Sequence, residues 1–253
     1  PLFGVVTILQ KNIMVRIDDV YQKVLAIANK EQRGYITPQE FNLYADQAQM
    51  DIFEQYFYDI NQFSRLHGND TEYSDMLNIL EEKISIFKKT SNLVYNTTNN
   101  FHALPANLYR LGTVFYQRDF DSEIIEIDRV QDNELIYILK SAVRPTSLMP
   151  VYVENHDGSG AKIVVYPDGG GTRNNTSINY IRKPIKPNWT YVIIEEEAMY
   201  NPSATDHKNF ELHVSEENNL VNKILQLAGI SMGNELYQVA SQEEVKDVQQ
   251  EKI

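Results

Sequence analysis

The sequence predicts an α+β protein, with an N-terminal helical bundle, a central antiparallel β-rich subdomain and C-terminal helices that return to the bundle. Three observations predict this class. Apolar residues recur every three or four positions from Met14 to about Phe87, short alternating segments rich in Tyr, Ile and Val fill the middle, and helical spacing resumes after Ser215. The predicted divisions are an arm at 1–13, the helical bundle at 14–95, the β-rich subdomain at 103–200, and C-terminal helices with a polar tail at 215–253.

The composition is that of an ordinary globular chain. The 253 residues are 42% hydrophobic and 23% charged, which is enough for one large domain or two small ones. The net charge of -12 argues against a surface that grips nucleic acid, because phosphate binding needs clustered Lys and Arg. With no cysteine, the chain has no disulfide framework, no thiolate nucleophile and no cysteine zinc site.

The first 13 residues are apolar without a regular pattern. They lack the basic start and the small-residue cleavage site of a signal peptide, and they are too short to span a bilayer. Two interpretations stay open for residues 1–13: a terminal arm that packs on a neighbouring molecule, or a stretch upstream of a natural start at Met14.

The longest predicted helix runs from Thr37 to about Phe63. Thr37 and Glu40 stand at the two positions of a capping box, and Pro38 suits the first helical position. The apolar face is broad and aromatic, so we expect other helices or another chain to cover it. Its members are Phe41, Tyr44, Ala45, Ala48, Ile52, Phe53, Tyr56, Phe57, Ile60 and Phe63.

Two further helices flank the long one. A helix from about Asp18 to Arg33 precedes it, stops at Gly34 and makes an αα-hairpin with it. Ile36 and Phe41 then occupy the two positions of a hydrophobic staple. A third helix is predicted over 71–87, closed by the two lysines at 88 and 89, and a polar linker at 91–102 marks the subdomain boundary.

The segment before the long helix resembles the latter half of an EF-hand calcium loop. Gly34 falls at the sixth position, and the candidate metal ligands are Asn29, Glu31 and Glu40, the last at the twelfth position. Against this, Arg33 stands at the fifth position, where the ion needs an oxygen ligand. The other interpretation explains the same residues without a metal, with Gly34 ending a helix and Glu40 completing the capping box.

The middle of the chain has the pattern of short antiparallel strands. Strands are predicted at 109–116, 123–130, 150–154, 162–166, 177–182 and 189–194, and 134–141 is either a partner strand or a short helix. Segment 177–182 is expected to pair with 189–194 through a stiff connection containing Pro184 and Pro187. The glycine-rich stretch 168–172 lacks the Lys-Ser/Thr ending of a phosphate loop, so it predicts a mobile hairpin tip.

The C-terminal part is predicted to be helical again. Ser215 caps a helix that Gly229 stops, and a last helix begins at about Asn234. That last helix fades into a tail too polar to pack fully on its own chain, so we expect it to be frayed or held by a neighbour.

No local motif indicates catalysis. The five histidines are scattered without metal-ligand spacing, and the consecutive Glu195, Glu196 and Glu197 would point to alternating faces of a strand. The sequence has no nucleophile elbow, phosphate-binding Walker loop or zinc-protease helix. We therefore predict no enzyme activity, no catalytic residue and no cofactor, although a hydrolase with two distant carboxylates would leave no local motif.

The order of elements, helices around a strand-rich insert on an acidic chain without cysteine, resembles the head-to-tail connector proteins of short-tailed phages. At residue level the likeness is to virion proteins of marine and crAss-like phages, and it spans most of the chain from Met14 onward. The segments that carry it are Ile17-Asp18-Asp19-Val20-Tyr21, Gly34-Tyr35-Ile36-Thr37-Pro38-Gln39-Glu40-Phe41-Asn42, Leu108-Tyr109-Arg110-Leu111-Gly112, Tyr180-Ile181-Arg182-Lys183-Pro184, Phe210-Glu211-Leu212-His213, Ser215-Glu216-Glu217 and Ile224-Leu225-Gln226-Leu227-Ala228-Gly229-Ile230.

The resemblance implies a structural protein of the phage neck, in which a helical bundle docks on the portal and a β-rich part faces the tail. It implies a homo-oligomeric ring of about twelve copies that binds the portal and other neck or tail proteins. DNA is expected to pass through the ring without specific binding, and no membrane is involved. The expected location is the virion, after synthesis in the bacterial cytoplasm. The alternatives from other classes are an EF-hand-like calcium-binding module and a carboxylate-dependent hydrolase of the virion.

Overall fold

The structure is a computed structural model that describes residues 14–30, 36–65, 71–118, 123–142, 144–158, 160–169, 171–195 and 197–231. It divides into two compact units: a helical unit formed by Pro1–Ile86 with Pro184–Ile253, and a sheet unit formed by Phe87–Lys183. The predicted α+β class is confirmed. The predicted arm at 1–13, residues 31–35 with the predicted helix stop at Gly34, and the predicted last helix from Asn234 lie outside the described residues.

The helices and strands are numbered here in chain order. The helices are α1 (Ile17–Lys30), α2 (Pro38–Arg65), α3 (Thr71–Ser85), α4 (Asp132–Lys140), α5 (Gly171–Asn174) and α6 (Glu217–Ser231). The strands are β1 (Lys88–Asn92), β2 (Tyr95–Asn96), β3 (Phe101–Ala103), β4 (Leu108–Gln117), β5 (Ile124–Arg129), β6 (Val151–Asp157), β7 (Gly160–Tyr166), β8 (Thr176–Arg182), β9 (Tyr191–Ile194) and β10 (Glu197–Tyr200).

Helix α2 is the central element of the helical unit, and it packs against α3 and α6. Its start is the predicted capping box: the Glu40 N–H donates to Thr37 Oγ1 at 3.3 Å, and the Thr37 N–H donates to Glu40 Oε2 at 3.0 Å. Both predicted staple residues, Ile36 and Phe41, are buried. Most of the predicted apolar face is buried as well, namely Phe41, Ala45, Ala48, Ile52, Phe53 and Tyr56.

The third helix is shorter than predicted. It ends at Ser85, and the two lysines expected to close it, Lys88 and Lys89, begin strand β1 instead. This strand pairs with β8 antiparallel, from Lys88 opposite Ile181 to Asn92 opposite Ser177. Its side chains are polar and mostly exposed, so the sequence has no alternation of apolar residues to mark a strand. The sheet unit accordingly starts at Phe87, earlier than the predicted 103.

The sheet unit contains an eight-stranded sheet in the order β1-β8-β4-β5-β6-β7-β3-β2. Its two edge strands, β1 and β2, are separated in the chain by only Leu93 and Val94, so the sheet must curl round on itself. The inward side chains form the core of this unit: Leu93, Val114, Tyr116, Ile127, Tyr152, Ile163, Val165, Ile178 and Tyr180.

The sheet is not wholly antiparallel, because β5 and β6 run parallel. Parallel neighbours need a crossover connection, and α4 lies in that connection. Of the two interpretations open for 134–141, the helix is therefore the observed one. On β4, Gly112 lies where the register with β8 shifts, and a Cβ there would come within 2.7 Å of the Asn179 carbonyl oxygen.

The predicted pairing of 177–182 with 189–194 is wrong. Strand β8 lies between β1 and β4, while β9 forms a separate hairpin with β10. The connection through Pro184 and Pro187 leaves the sheet, because neither proline has an N–H to donate to a ladder. Glu195 consequently sits at the turn of the hairpin and not within a strand.

Two smaller predictions also fail. The glycine-rich stretch is no hairpin tip, because it joins β7 to β8, which are not neighbours, and it contains α5 with a buried Thr172. Gly229 does not stop the helix, because α6 continues to Ser231. A 3₁₀ turn, Val214–Glu216, precedes α6, and His213 accepts the Ser215 N–H there.

Candidate interaction surfaces

The β9–β10 hairpin presents an apolar surface to solvent. Cross-strand partners and alternate residues share a face of a hairpin, so Val192, Ile194, Met199 and Glu197 lie on one side, which we call the outer face. All four are exposed, with Ile194 at 54% and Met199 at 50%. Ile193, near the turn, is 71% exposed. A hairpin of an isolated soluble chain would carry polar residues at these positions.

The other face of the hairpin is anchored by Trp189, the single tryptophan of the chain. Its buried ring stacks on Tyr191 and Tyr200, with ring centroids 5.8 and 5.7 Å apart, and lies 4.1 Å from the Tyr21 ring of α1. The indole N–H donates to Asp18 Oδ1 at 3.0 Å. Because these contacts fix the base of the hairpin, its outer face is held in one orientation.

Two amide side chains of α2 hold the segments that lead to the hairpin. Asn42 Oδ1 accepts the Trp189 N–H at 2.8 Å, and Asn42 Nδ2 donates to the Trp189 carbonyl at 3.1 Å. Two helical turns further on, the fully buried Gln49 donates to the Ile185 carbonyl and accepts the Glu211 N–H, both at 2.9 Å. These amides satisfy backbone groups that have no partner in a helix or ladder.

Helix α4 of the sheet unit presents a second apolar surface. Leu135 to Leu139 is a run of five apolar residues, which surrounds the whole circumference of the helix. None of its residues is buried, and Tyr137 is 77% exposed. We call Ile136, Tyr137 and Leu139 the exposed face of α4. Two exposed cations, Lys140 in the last turn and Arg144 just beyond it, follow this face.

A cluster of titratable groups lies inside the helical unit. Lys83 Nζ is 2.5 Å from Glu216 Oε1, and Asn219 Nδ2 donates to Glu216 Oε2 at 2.7 Å. Burial would raise the pKa of Glu216, but these hydrogen bonds outweigh it and hold that pKa below its usual value. Burial raises the pKa of the Tyr56 hydroxyl, and the nearby Glu216 carboxylate raises it further. Burial also raises the pKa of Asp59. The cluster ties α3 to the start of α6.

A second polar cluster holds the glycine-rich segment of the sheet unit. Arg173 binds both Asp168 carboxylate oxygens, at 2.8 and 3.1 Å, and Tyr95 Oη donates to Asp168 Oδ1 at 2.8 Å. The Arg173 hydrogen bonds hold the pKa of Asp168 below its usual value. His102 is buried beside Tyr95, and burial lowers its pKa. This cluster explains why the segment is ordered around α5.

An open groove of about 960 Å³ lies on the sheet unit. Aromatic rings of Tyr95, Phe101 and Tyr109 line it, together with Glu154, His156 and Lys162. Glu154 is the one carboxylate among its described lining residues, and Arg129 binds it at 3.0 Å. A hydrolase that uses two carboxylates needs a second carboxyl group about 5–10 Å away, and the described lining does not provide it.

Of the three candidate calcium ligands, Glu40 is the one whose side chain the structure describes. Asn29 lies in the last turn of α1, and Glu31 falls outside the described part of the chain. Glu40 accepts hydrogen bonds from the Thr37 backbone and hydroxyl, which lower the pKa of its carboxyl group. Across the described ranges, no group of three or more His, Asp or Glu side chains is placed to hold a metal ion.

Sequence reasoning missed the residues that build these surfaces, although some signal was present. Asn42 and Gln49 share heptad spacing with Ala45, Ile52 and Tyr56 of the buried face. A polar side chain inside an apolar stripe needs a buried hydrogen-bond partner. This rule would have predicted that Asn42 and Gln49 bind the backbone of another segment. The continuous apolar run of α4 was the signal for its exposure, since one neighbouring element cannot cover all sides of a helix.

Comparison with known proteins does not assign the chain to a family. No protein-family model matches the sequence, and none of the curated proteins searched matches it. Among the described helices, none combines the length and apolarity needed to cross a bilayer. The assignment of function therefore depends on the surfaces themselves.

Proposed function

We propose that this chain is a structural subunit of a phage neck, an adaptor ring that joins the portal to the tail and surrounds the DNA conduit. The observation that carries the proposal is the pair of apolar surfaces: the outer face of the anchored hairpin and the exposed face of α4. Exposed apolar patches on soluble proteins commonly mark sites of protein association. One chain with two different association surfaces suits an assembly component better than an enzyme.

The ring is supported by the difference between the two surfaces. A surface that pairs with its own copy forms a closed dimer, whereas two different surfaces that bind each other form head-to-tail contacts, which give a ring when the rotation between copies closes. The place in the phage neck, the portal and tail partners and the copy number of about twelve come from the resemblance carried by segments such as residues 34–42 and 180–184. Within this proposal the subunit is made in the host cytoplasm and ends in the virion.

The acidic composition supports a conduit role. In a ring, many copies of a chain with net charge -12 add their fields, and carboxylates repel the phosphate backbone. Weak contact lets DNA move with little friction. We expect the lumen to be lined mainly by Asp, Glu and neutral polar side chains, and the free subunit to show no measurable affinity for duplex DNA at physiological salt.

A cryo-EM map of the particle neck tests the proposal. The expected result is a symmetric ring between portal and tail into which both units fit, with an acidic lumen. Mass spectrometry of purified particles should detect the chain at a copy number that matches the ring symmetry. Absence of the chain from purified particles, or its location away from the neck, would refute the proposed role. A lumen dominated by Lys and Arg, or a salt-sensitive gel shift by the free subunit, would refute the repulsive conduit.

A further inference from the structure

We infer that the outer face of the β9–β10 hairpin in one copy packs on the exposed face of α4 in the next copy. This contact rests on the proposed ring and names the surfaces that would form it. The partner is a second copy of this chain, because both surfaces are apolar and the charges beside them are opposite.

The hairpin supplies an apolar surface with an acidic end. Val192, Ile194 and Met199 form the apolar part, and Glu197 and Glu195 lie beside it at the turn. Glu195 has φ +51°, a left-handed conformation that Gly or Asn adopts at lower cost in such turns. The turn therefore carries a carboxylate at a position where glycine would relieve the backbone strain.

Helix α4 supplies an apolar surface with a basic end. A helix that is apolar on all sides is normally buried, yet no residue of α4 is buried in the single chain. Its exposed Ile136, Tyr137 and Leu139 are followed by Lys140 and Arg144, and the negative end of the helix dipole lies among those cations. The apolar faces match each other, and the hairpin carboxylates match the cations.

The charge match selects a second copy over other occupants. The chain has 35 acidic and 23 basic residues, so two copies carry the same net negative charge and repel each other on average. Like-charge contacts disfavour the wrong partner surfaces, while opposite charges favour the right ones. The end of α4 is one of the places where a carboxylate-bearing hairpin finds cations next to an apolar surface. The resulting contact is head-to-tail.

Engineered cysteines test the contact directly, and the natural chain has none to interfere. In the full chain, I194C combined with Y137C should give a disulfide-linked ladder on a non-reducing gel after mild oxidation, because Ile194 lies on the outer face of the hairpin. Differently tagged single variants, when mixed, should give only the 194–137 heterodimer. A faster-migrating monomer with an internal disulfide, a dominant 194–194 or 137–137 product, or no cross-linked product would each overturn the contact.

Charge reversal tests the recognition quantitatively by sedimentation velocity up to about 200 μM. E195K/E197K and K140E/R144E should each weaken self-association about tenfold or more, and combining all four changes should restore it to within about threefold of wild type. The matched control is D51K/E54K, which reverses two exposed acids on α2 and should leave self-association unchanged. E195N should keep the folded spectrum, since Asn suits the turn, and should still weaken association. Lack of rescue, or an equal effect of the control, would overturn the contact.

Failure of this contact and failure of the neck role are distinguishable. If particles contain the ring but the cysteines do not cross-link and the charges do not rescue, the contact is wrong and the role stands. If the purified double-cysteine variant forms the 194–137 ladder but the chain is missing from particles, the contact stands and the role is wrong. A wild-type chain that stays monomeric, together with a double-cysteine variant that gives no ladder, overturns the contact.

Discussion

Replacing Gln49 by methionine should lower the free energy of unfolding of the helical unit more than a substitution of an exposed residue on the same helix does. Gln49 is fully buried, donates to the Ile185 carbonyl and accepts the Glu211 N–H. Methionine fills similar space but can make neither bond. Each buried backbone group left without a partner costs about 1–3 kcal/mol. The two groups together would cost about 2–6 kcal/mol, and since Ile185 is 49% exposed and water reaches part of this region, we expect the lower end of that range, about 2–3 kcal/mol.

The matched control is Q47M on the exposed side of the same helix. It makes the same chemical change two positions away, at a side chain that is exposed.

Trp189 is the single tryptophan and belongs to the helical unit, so its fluorescence reports the unfolding of that unit alone. With a urea slope of about 1–3 kcal/mol/M, Q49M should lower the midpoint by about 1 M, while Q47M should leave it nearly unchanged. Equal midpoints for the two variants would show that the Gln49 hydrogen bonds do not stabilise the unit, and the reasoning would be wrong.

Three further predictions concern the helix start, the buried charges and calcium. T37A should lower the free energy of unfolding of the helical unit by about 1 kcal/mol in urea titrations, and T37S should restore it; no change would mean that α2 starts elsewhere. Because hydrogen bonds hold the pKa of Glu216 below its usual value of 4.5, its contribution to stability is present above that pH and is lost as the pH falls through the folded pKa. E216Q should therefore have a free energy of unfolding that is lower than that of wild type by a constant amount above pH 4.5. Below pH 4.5 its free energy of unfolding should fall less steeply with decreasing pH than that of wild type, and parallel curves would contradict this. Isothermal titration should detect no saturable calcium binding, and a micromolar site that disappears in E40Q would reverse that expectation.

The sequence was sufficient where local chemistry decides the structure. Helix α2 combines a capping box at Thr37 and Glu40 with a long apolar stripe, and both are properties of neighbouring residues. Strands β4 to β7 were predicted from alternating Ile, Val and Tyr, because one side of each faces the core of the sheet unit.

The sequence was insufficient where distant segments decide it. Strand β1 is polar and is held by its ladder to β8, almost ninety positions away in the chain, which no local pattern reveals. The hairpin partner of β9 was missed because 177–182 offered an equally good alternation. Gly229 shows the same limit at a helix end, since packing of α6 on α1 and α2 carries the helix through a residue that commonly stops one.

The candidate surfaces were harder to predict than the fold, for a physical reason. An apolar residue has the same local signature whether its own chain or a neighbour covers it. The run from Leu135 to Leu139 is therefore ambiguous in the sequence, and it becomes informative only when the structure leaves all of α4 unburied. The role of Trp189 was hidden for a different reason. Its indole anchors the base of the hairpin through partners that are distant in the sequence, such as Asp18.

Anchoring and charge together explain how such a subunit could stay apart and then assemble. The net charge of -12 makes random encounters between copies repulsive, which keeps free subunits soluble despite their apolar surfaces. The Trp189 stack and the Asn42 and Gln49 bonds hold the hairpin in place before any contact forms, so little conformational entropy remains to be lost on binding. Repulsion is weakest where cations gather beside an apolar surface, as at the end of α4. In this scheme, specificity comes both from charge repulsion at most of the acidic surface and from attraction at the end of α4.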